Sequence, residues 1–120
     1  MPEPGSSGVR VLLVEDDDDH AELMSFAFDE AGGYDLARAT GMAAARKLIA
    51  AGNFALVVSD FRLPDGEGLS LIARDEAGEV RFPVLILTSQ GSEAVAAEAI
   101  KRGALDYLVK SPETFARLPE

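Results

Sequence analysis

The chain has 120 residues, 48% of them hydrophobic and 27% charged, which predicts one globular domain with a core of its own. The formal net charge of −10 argues against a surface for nucleic acid or an anionic membrane, because such surfaces need clustered Lys and Arg. The sequence contains no cysteine, which excludes disulfides and a thiol nucleophile and fits a cytoplasmic setting. Residues 1–8 lack the basic and apolar regions of a signal peptide and are predicted to be a flexible tail.

From residue 9 onward, short apolar runs alternate with amphipathic stretches. The apolar runs predict buried strands at residues 9–14, 54–59, 83–88 and 105–109, and a weak alternation of apolar and polar residues predicts a short strand at residues 34–39. The stretches between and after them, with apolar residues three and four apart, predict helices at residues 21–31, 40–51, 69–77, 92–102 and 112–118. The predicted inward faces of the first three helices hold Leu23, Phe26, Ala27 and Ala31, then Met42, Ala45, Leu48 and Ile49, then Leu69, Ile72 and Ala73.

Strict alternation of strands and helices with short connections predicts an α/β fold, a doubly wound five-stranded parallel sheet with helices on both faces. Five such units suit the strand order 2-1-3-4-5 of flavodoxin-like (βα)5 domains, whose site lies at the switch between the first and third strands. In this order the carboxyl ends of those two strands are neighbours. Glu15 and Asp16 are then expected close to Asp60.

Three carboxylates would meet at this edge, because an acidic run begins directly after the first strand and Asp60 lies at the end of the third. Like charges at that distance repel unless a cation or shared protons relieve them. Mg²⁺ suits the cluster because it takes oxygen ligands, so Glu15, Asp16 and Asp60 are candidate metal ligands. Residues 17–19 are predicted to be acids at the N-terminus of the first helix. A solvated acidic loop is the alternative.

Two further polar residues follow buried strands at the same edge. Thr88 ends the fourth strand and Lys110 follows the fifth. A hydroxyl and an ammonium beside carboxylates and a metal suit a phosphoryl group, whose oxygens they can bind. Each residue also has a simpler explanation, because threonine favours strands and a lysine past a strand often extends along the surface into solvent.

Taken together, these motifs resemble the receiver domains of two-component response regulators, over residues 9–118. The similarity lies at residues 13–16, 59–66, 87–89 and 106–110. The resemblance implies that Asp60 accepts a phosphoryl group from a phosphohistidine of a partner histidine kinase or phosphotransfer protein. The other implied roles are Mg²⁺ binding by Glu15, Asp16, Asp60 and the backbone carbonyl of Arg62, phosphoryl contacts by Thr88 and Lys110, and a rotamer switch at Tyr107. An adjoining or separate output domain is a further expected partner.

The sequence departs from the family pattern after Lys110, where Ser111 stands in place of the common cis-proline and a proline follows only at Pro112. The last helix is also short for the family, and this ending resembles that of receivers attached to the front of sensor kinases. His20 is the only histidine and is predicted to be exposed and structural. The phosphohistidine is therefore expected on another protein or domain.

Three other functions fit parts of the pattern. A hydrolase with an aspartyl nucleophile would carry an Asp-x-Asp motif that begins at Asp60. Here Arg62 takes the place of the second acid, and 120 residues leave little room for a substrate pocket. A flavodoxin-like cofactor binder needs a phosphate loop after the first strand, where five acids would repel phosphate. A receiver that serves only as a docking surface stays open because of Ser111. The main prediction is a signalling module rather than a turnover enzyme.

Overall fold

The computed structural model describes residues 8–119, so the predicted tail lies outside the described residues except for Gly8. The five strands of the main sheet are β1 Val9–Val14, β2 Tyr34–Ala39, β3 Leu56–Asp60, β4 Val84–Thr88 and β5 Asp106–Val109. The helices are α1 Asp18–Ala31, α2 Met42–Ala51, α3 Glu93–Arg102 and α4 Pro112–Arg117. A short 3₁₀ helix, Gly68–Leu71, lies between β3 and β4. Within residues 8–119, every helix is too short or too polar to serve as a membrane span.

All five strands are parallel and lie in the order β2-β1-β3-β4-β5, which confirms the predicted doubly wound sheet. Val14 of β1 lies opposite Ser59 of β3, so the residues that follow these two positions reach the same edge. Directly after β3, a small antiparallel hairpin pairs Arg62–Leu63 with Gly66–Glu67. The hairpin turns the chain away from the sheet and leaves Asp60 at the edge.

The core lies in two layers, because successive residues of a strand point to opposite faces of the sheet. Val11 and Leu13 of β1 belong to the layer that α1 and α4 cover. Leu12 and Val14 belong to the layer that α2, α3 and the 3₁₀ helix cover. Residues 11–14 are therefore buried whichever way they point, and this is why β1 is a continuous apolar run.

The predicted helix at residues 69–77 is wrong. The chain forms only the 3₁₀ turn Gly68–Leu71 and then leaves helical geometry. Arg74 makes an antiparallel bridge with Val80, and between them the Asp75 carboxylate accepts hydrogen bonds from two backbone N–H groups within the next four residues. An aspartate that binds nearby backbone N–H groups favours a turn over a helix, which explains the difference.

The predicted inward face of α1 is also wrong, except for Ala27. The helix begins at Asp18 rather than at residue 21, and its buried residues are Ala21, Met24, Ala27 and Phe28. Leu23 and Phe26 are 50% and 63% exposed, and Ala31 is exposed as well. Two apolar stripes at helical spacing run along this helix, and the sheet packs against the stripe that carries Met24 and Phe28. The remaining strands and helices agree with the predicted bounds to within two residues.

Candidate functional site

Three carboxylates lie together at the carboxyl edge of the sheet. Glu15 and Asp16 follow β1 and Asp60 ends β3, and one oxygen of each lies within 4.8 Å of the others. Their proximity follows from the parallel pairing of β1 with β3. Glu15 is 1% exposed and the Asp60 side chain is 11% exposed, whereas Asp16 is exposed. The cluster is therefore buried on one side and open to solvent on the other.

Lys110 lies against two of these carboxylates. Its Nζ is 2.7 Å from Glu15 Oε1 and 3.1 Å from Asp60 Oδ2, and its side chain is only 7% exposed. The pairing of β4 with β5 brings it there, and its backbone N–H donates to the Thr88 carbonyl at 2.8 Å. Burial alone would lower the pKa of Lys110, but Glu15 and Asp60 outweigh that effect and hold this pKa above its ordinary value. The ammonium is therefore a lasting positive charge beside Asp60.

Glu15 has one carboxylate oxygen that is incompletely satisfied. Oε2 accepts a hydrogen bond from the Asp17 N–H at 3.2 Å, while Oε1 meets Lys110 Nζ outside hydrogen-bond geometry. Burial raises the pKa of the Glu15 carboxyl, Lys110 opposes the rise, and the charge of Asp60 adds to it. Arg38 holds the backbone here, because its Nε and Nη2 both donate to the Glu15 carbonyl, at 3.0 and 2.9 Å. A cation beside Glu15 would satisfy Oε1 and reduce the repulsion.

Thr88, Tyr107 and Arg62 lie around this cluster with other contacts. Thr88 is 6% exposed, and its hydroxyl donates to the Gln90 carbonyl at 3.0 Å. Tyr107 is partly buried, with its ring edge-to-face to Phe61 at 6.5 Å between centroids. The Arg62 side chain lies over the same Phe61 ring at 5.7 Å. The predicted roles of the Thr88 hydroxyl, the Tyr107 ring and the Arg62 carbonyl stay predictions.

His20 also lies at the site, where it was not predicted. It was predicted to be exposed, but it is partly buried: its side chain is 34% exposed, and its Nδ1 lies 3.1 Å from Lys110 Nζ. The two residues are 90 positions apart in the chain. The signal that was available is its position on the first turn of α1, directly after the acidic run at the same edge.

Ser111 begins the last helix in place of a proline. The described residues contain no cis peptide bond, so the Lys110–Ser111 bond is trans. Ser111 is the N-cap of α4, and its Oγ accepts a hydrogen bond from the Thr114 N–H at 3.0 Å. Its hydroxyl also donates to Thr114 Oγ1 at 2.9 Å. The departure from the family pattern therefore has a defined structural role, since it starts α4 directly after Lys110.

Comparison with known proteins agrees with this fold. The profile described as the response regulator receiver domain matches residues 11–118. The chain therefore belongs to the response regulator receiver domain family, a family that acts in phosphorylation-based signalling.

The chain is 44% identical over 114 residues to the methanogenesis regulatory protein FilR1 of Methanothrix harundinacea. This match covers 92% of the chain and 26% of FilR1. Among solved structures, the receiver domain of the Francisella response regulator 1452 is 30% identical with a TM-score of 0.77, and the match covers 91% of both chains. A response regulator protein from Burkholderia pseudomallei, with a phosphorylated aspartic acid, calcium ion and citrate, is 30% identical with a TM-score of 0.74. That match covers 88% of this chain and 63% of the other.

The chain spans about a quarter of the length of two curated relatives that it matches, namely 26% of FilR1 and 24% of the response regulator protein PilR of Pseudomonas aeruginosa. It corresponds to the receiver part of such proteins.

Proposed function

We propose that the chain is a phosphoacceptor, in which Asp60 accepts a phosphoryl group from a phosphohistidine of a partner histidine kinase or phosphotransfer protein. The reaction is proposed to depend on Mg²⁺. The observation that carries the proposal is the place of Asp60, between two acidic residues and Lys110. The Burkholderia pseudomallei protein, which contains a phosphorylated aspartic acid and a calcium ion, supports it. The proposed receiver domain comprises residues 9–118, and its proposed location is the cytoplasm.

Glu15, Asp16 and Asp60 fit a hard divalent cation such as Mg²⁺, because they offer carboxylate oxygens within 4.8 Å of one another. Among the described residues, Glu15 Oε1 has no hydrogen-bond partner, which leaves it suited to a metal. The backbone carbonyl of Arg62 is proposed as a further ligand on the ground of family resemblance. When bound, the ion neutralises carboxylate and phosphoryl oxygens and lets two anions approach.

Asp60 is the proposed nucleophile. One of its carboxylate oxygens bonds to phosphorus while the bond from phosphorus to the donor's histidine nitrogen breaks, and that nitrogen keeps the electron pair. Lys110, 3.1 Å from Asp60 Oδ2, binds a phosphoryl oxygen and offsets the charge that arrives. Slow hydrolysis of the aspartyl phosphate ends the signal. The chain thus assists its own phosphotransfer and does not turn over external substrates.

Thr88 and Tyr107 are the proposed switch. The Thr88 hydroxyl now binds the Gln90 carbonyl, and moving that hydrogen bond to a phosphoryl oxygen would release the loop after β4. Tyr107, which is partly buried, would then change rotamer with Thr88. The changed surface around α3 and β5 is read by an output domain, adjoining or separate. With a net charge of −10, this domain itself is proposed to contact neither nucleic acid nor membrane.

Incubation with a small acyl phosphate and Mg²⁺, followed by intact-protein mass measurement, tests the proposal. We expect the wild type to gain one phosphoryl group, and Asp60→Asn or the wild type with chelator to gain none, because the nucleophile or the cation is then missing. Glu67→Gln, an exposed acid nearby in the hairpin, is the matched control and should be phosphorylated like the wild type. A wild type that gains nothing would overturn the proposal in favour of a docking surface. Turnover of many phosphate esters would favour a hydrolase.

A further inference from the structure

We propose that His20 is a positioning residue for phosphoryl transfer, which holds Lys110 toward Asp60 by accepting a hydrogen bond at Nδ1. This inference rests on the proposed function and adds a residue to it. His20 Nδ1 lies 3.1 Å from Lys110 Nζ, the same distance that separates Nζ from Asp60 Oδ2. The contact joins the first turn of α1 to the end of β5.

The chemistry of lysine fixes the direction of this hydrogen bond. An ammonium group has three N–H donors and no acceptor, so the ring nitrogen that faces it must offer a lone pair. His20 therefore carries its ring proton on Nε2. The ammonium thus donates hydrogen bonds to His20 Nδ1 and to Asp60 Oδ2, each at 3.1 Å, and forms an ion pair with Glu15 Oε1 at 2.7 Å.

The histidine ring is held in place by the last helix. Phe115 of α4 is 5% exposed, and its ring centroid lies 5.7 Å from that of His20 at a tilt of 47°. The carboxylates of Glu15 and Asp17 lie 3.9 and 3.8 Å from His20 Nδ1, which is too far for a hydrogen bond. Lys110 Nζ is closer to His20 Nδ1 than either carboxylate, so this ring nitrogen faces the lysine.

A neutral acceptor suits this place better than a third carboxylate. Lys110 is nearly buried, so a missing acceptor would leave one N–H unsatisfied and let the flexible stem take other rotamers. A further carboxylate would hold the ammonium but would also repel the incoming phosphoryl group. The imidazole holds the ammonium without adding negative charge, and the ammonium stays directed at Asp60.

Two substitutions separate the acceptor atom from the bulk of the ring. His20→Phe keeps an aromatic ring against Phe115 and removes Nδ1. His20→Asn keeps an acceptor, because Oδ1 of asparagine is attached to Cγ, as Nδ1 of histidine is. With a small acyl phosphate at saturating Mg²⁺, we expect His20→Phe to lower the phosphorylation rate constant of Asp60 about three- to tenfold. His20→Asn should recover the wild-type rate to within about twofold.

Three further measurements exclude a merely structural role. The Mg²⁺ dissociation constant should stay within about twofold of wild type in both variants, because His20 acts through Lys110 and not through the metal. In a Lys110→Ala background, His20→Phe should slow phosphorylation no further, since its target is gone. In mildly alkaline buffer, the ¹⁵N shifts of the wild-type ring should report a proton on Nε2, and Lys110→Ala should move the Nδ1 shift.

The outcomes distinguish this inference from the proposed function. A wild type that takes no phosphoryl group overturns the proposed function, and the role of His20 falls with it. A wild type that is phosphorylated while His20→Phe reacts equally fast overturns the role of His20 alone. Additive effects with Lys110→Ala, or a ring proton on Nδ1, also overturn it, and the ring measurement does not depend on phosphorylation.

Discussion

At the scale of single residues, Asp65 links the hairpin after β3 to a separate helix. Its two carboxylate oxygens accept hydrogen bonds from the backbone N–H groups of Met42 and Ala43, at 2.7 and 3.1 Å. Gly41, the N-cap of α2, has no side chain to do this. A Cβ at Gly41 would lie 2.9 Å from Asp65 Oδ1, so the glycine makes room for the cap from outside. The Met42 and Ala43 amides lower the pKa of the Asp65 carboxyl.

This lowered pKa predicts a pH-dependent contribution of Asp65 to stability. The contribution is present above the ordinary pKa of 3.8 and is lost as pH falls through the lower value of the folded state. We expect Asp65→Asn to unfold at lower urea concentration than wild type at neutral pH, and the gap to shrink in acid. Asp29→Asn removes the same charge from an exposed position on α1 and serves as control. A gap for Asp65→Asn that stays constant from neutral pH to strong acid would contradict the capping role of the carboxylate.

The sequence predicted the proximity of Glu15, Asp16 and Asp60 because parallel strands bring their carboxyl ends to one edge. That argument needs only the strand order. The contact between His20 and Lys110 depends instead on how α1 is rotated against the sheet, and the periodicity of α1 favoured the wrong face. Side-chain contacts between a helix and the end of a strand therefore could not be predicted from the sequence.

At the scale of elements, α4 depends on its N-cap residue, Ser111, more than on its own length. It has six residues, too few to be stable alone, and is held by the Ser111 cap and by the burial of Phe115. Thr114 adds a bond from its hydroxyl to the Val109 carbonyl at 2.9 Å, which ties the helix to β5. Asp60 is thus linked to α4 through one residue, because Lys110 contacts Asp60 and directly precedes the N-cap Ser111.

Substitution of Ser111 should show that the cap, and not a proline, fits this backbone. Ser111→Ala removes the oxygen that binds the Thr114 N–H, at a cost of about 1 kcal/mol. Ser111→Pro loses the same bond and also forces φ toward −65°, whereas Ser111 has φ −164°. We expect Pro to destabilise more than Ala in urea unfolding. A proline variant as stable as wild type would refute this account of how α4 begins.

Elements differ in how clearly their residues reveal them. The buried strands were predicted well, because a run such as residues 84–88 is apolar throughout and has no other stable place. The predicted helix at residues 69–77 failed because Leu69, Ile72 and Ala73 have helical spacing over too short a stretch to exclude other structures. The turn at Asp75 prevents a helix there, and it could be identified only from the hydrogen bonds that the Asp75 carboxylate accepts in the structure.

At the scale of the whole molecule, net charge and the carboxylate cluster act together. The chain carries 21 acidic and 11 basic residues, so repulsion between its negative charges lowers the stability of the folded state. Any salt should relieve part of that repulsion by screening. The cluster of Glu15, Asp16 and Asp60 concentrates negative charge in one place, and Lys110 contacts only two of its three members. A divalent cation bound there should stabilise the fold beyond general screening.

Removal of Mg²⁺ should therefore lower the stability of this chain by more than a change in ionic strength does. At a free concentration about 100 times the dissociation constant, one specific site stabilises the folded state by about 2.7 kcal/mol. We expect Mg²⁺ to raise the urea midpoint of the wild type above that in NaCl of equal ionic strength. Asp16→Asn keeps the fold but removes one ligand oxygen's charge, so its midpoint should respond to Mg²⁺ much as to NaCl. Equal responses of the wild type to both salts would contradict a specific site at Glu15, Asp16 and Asp60.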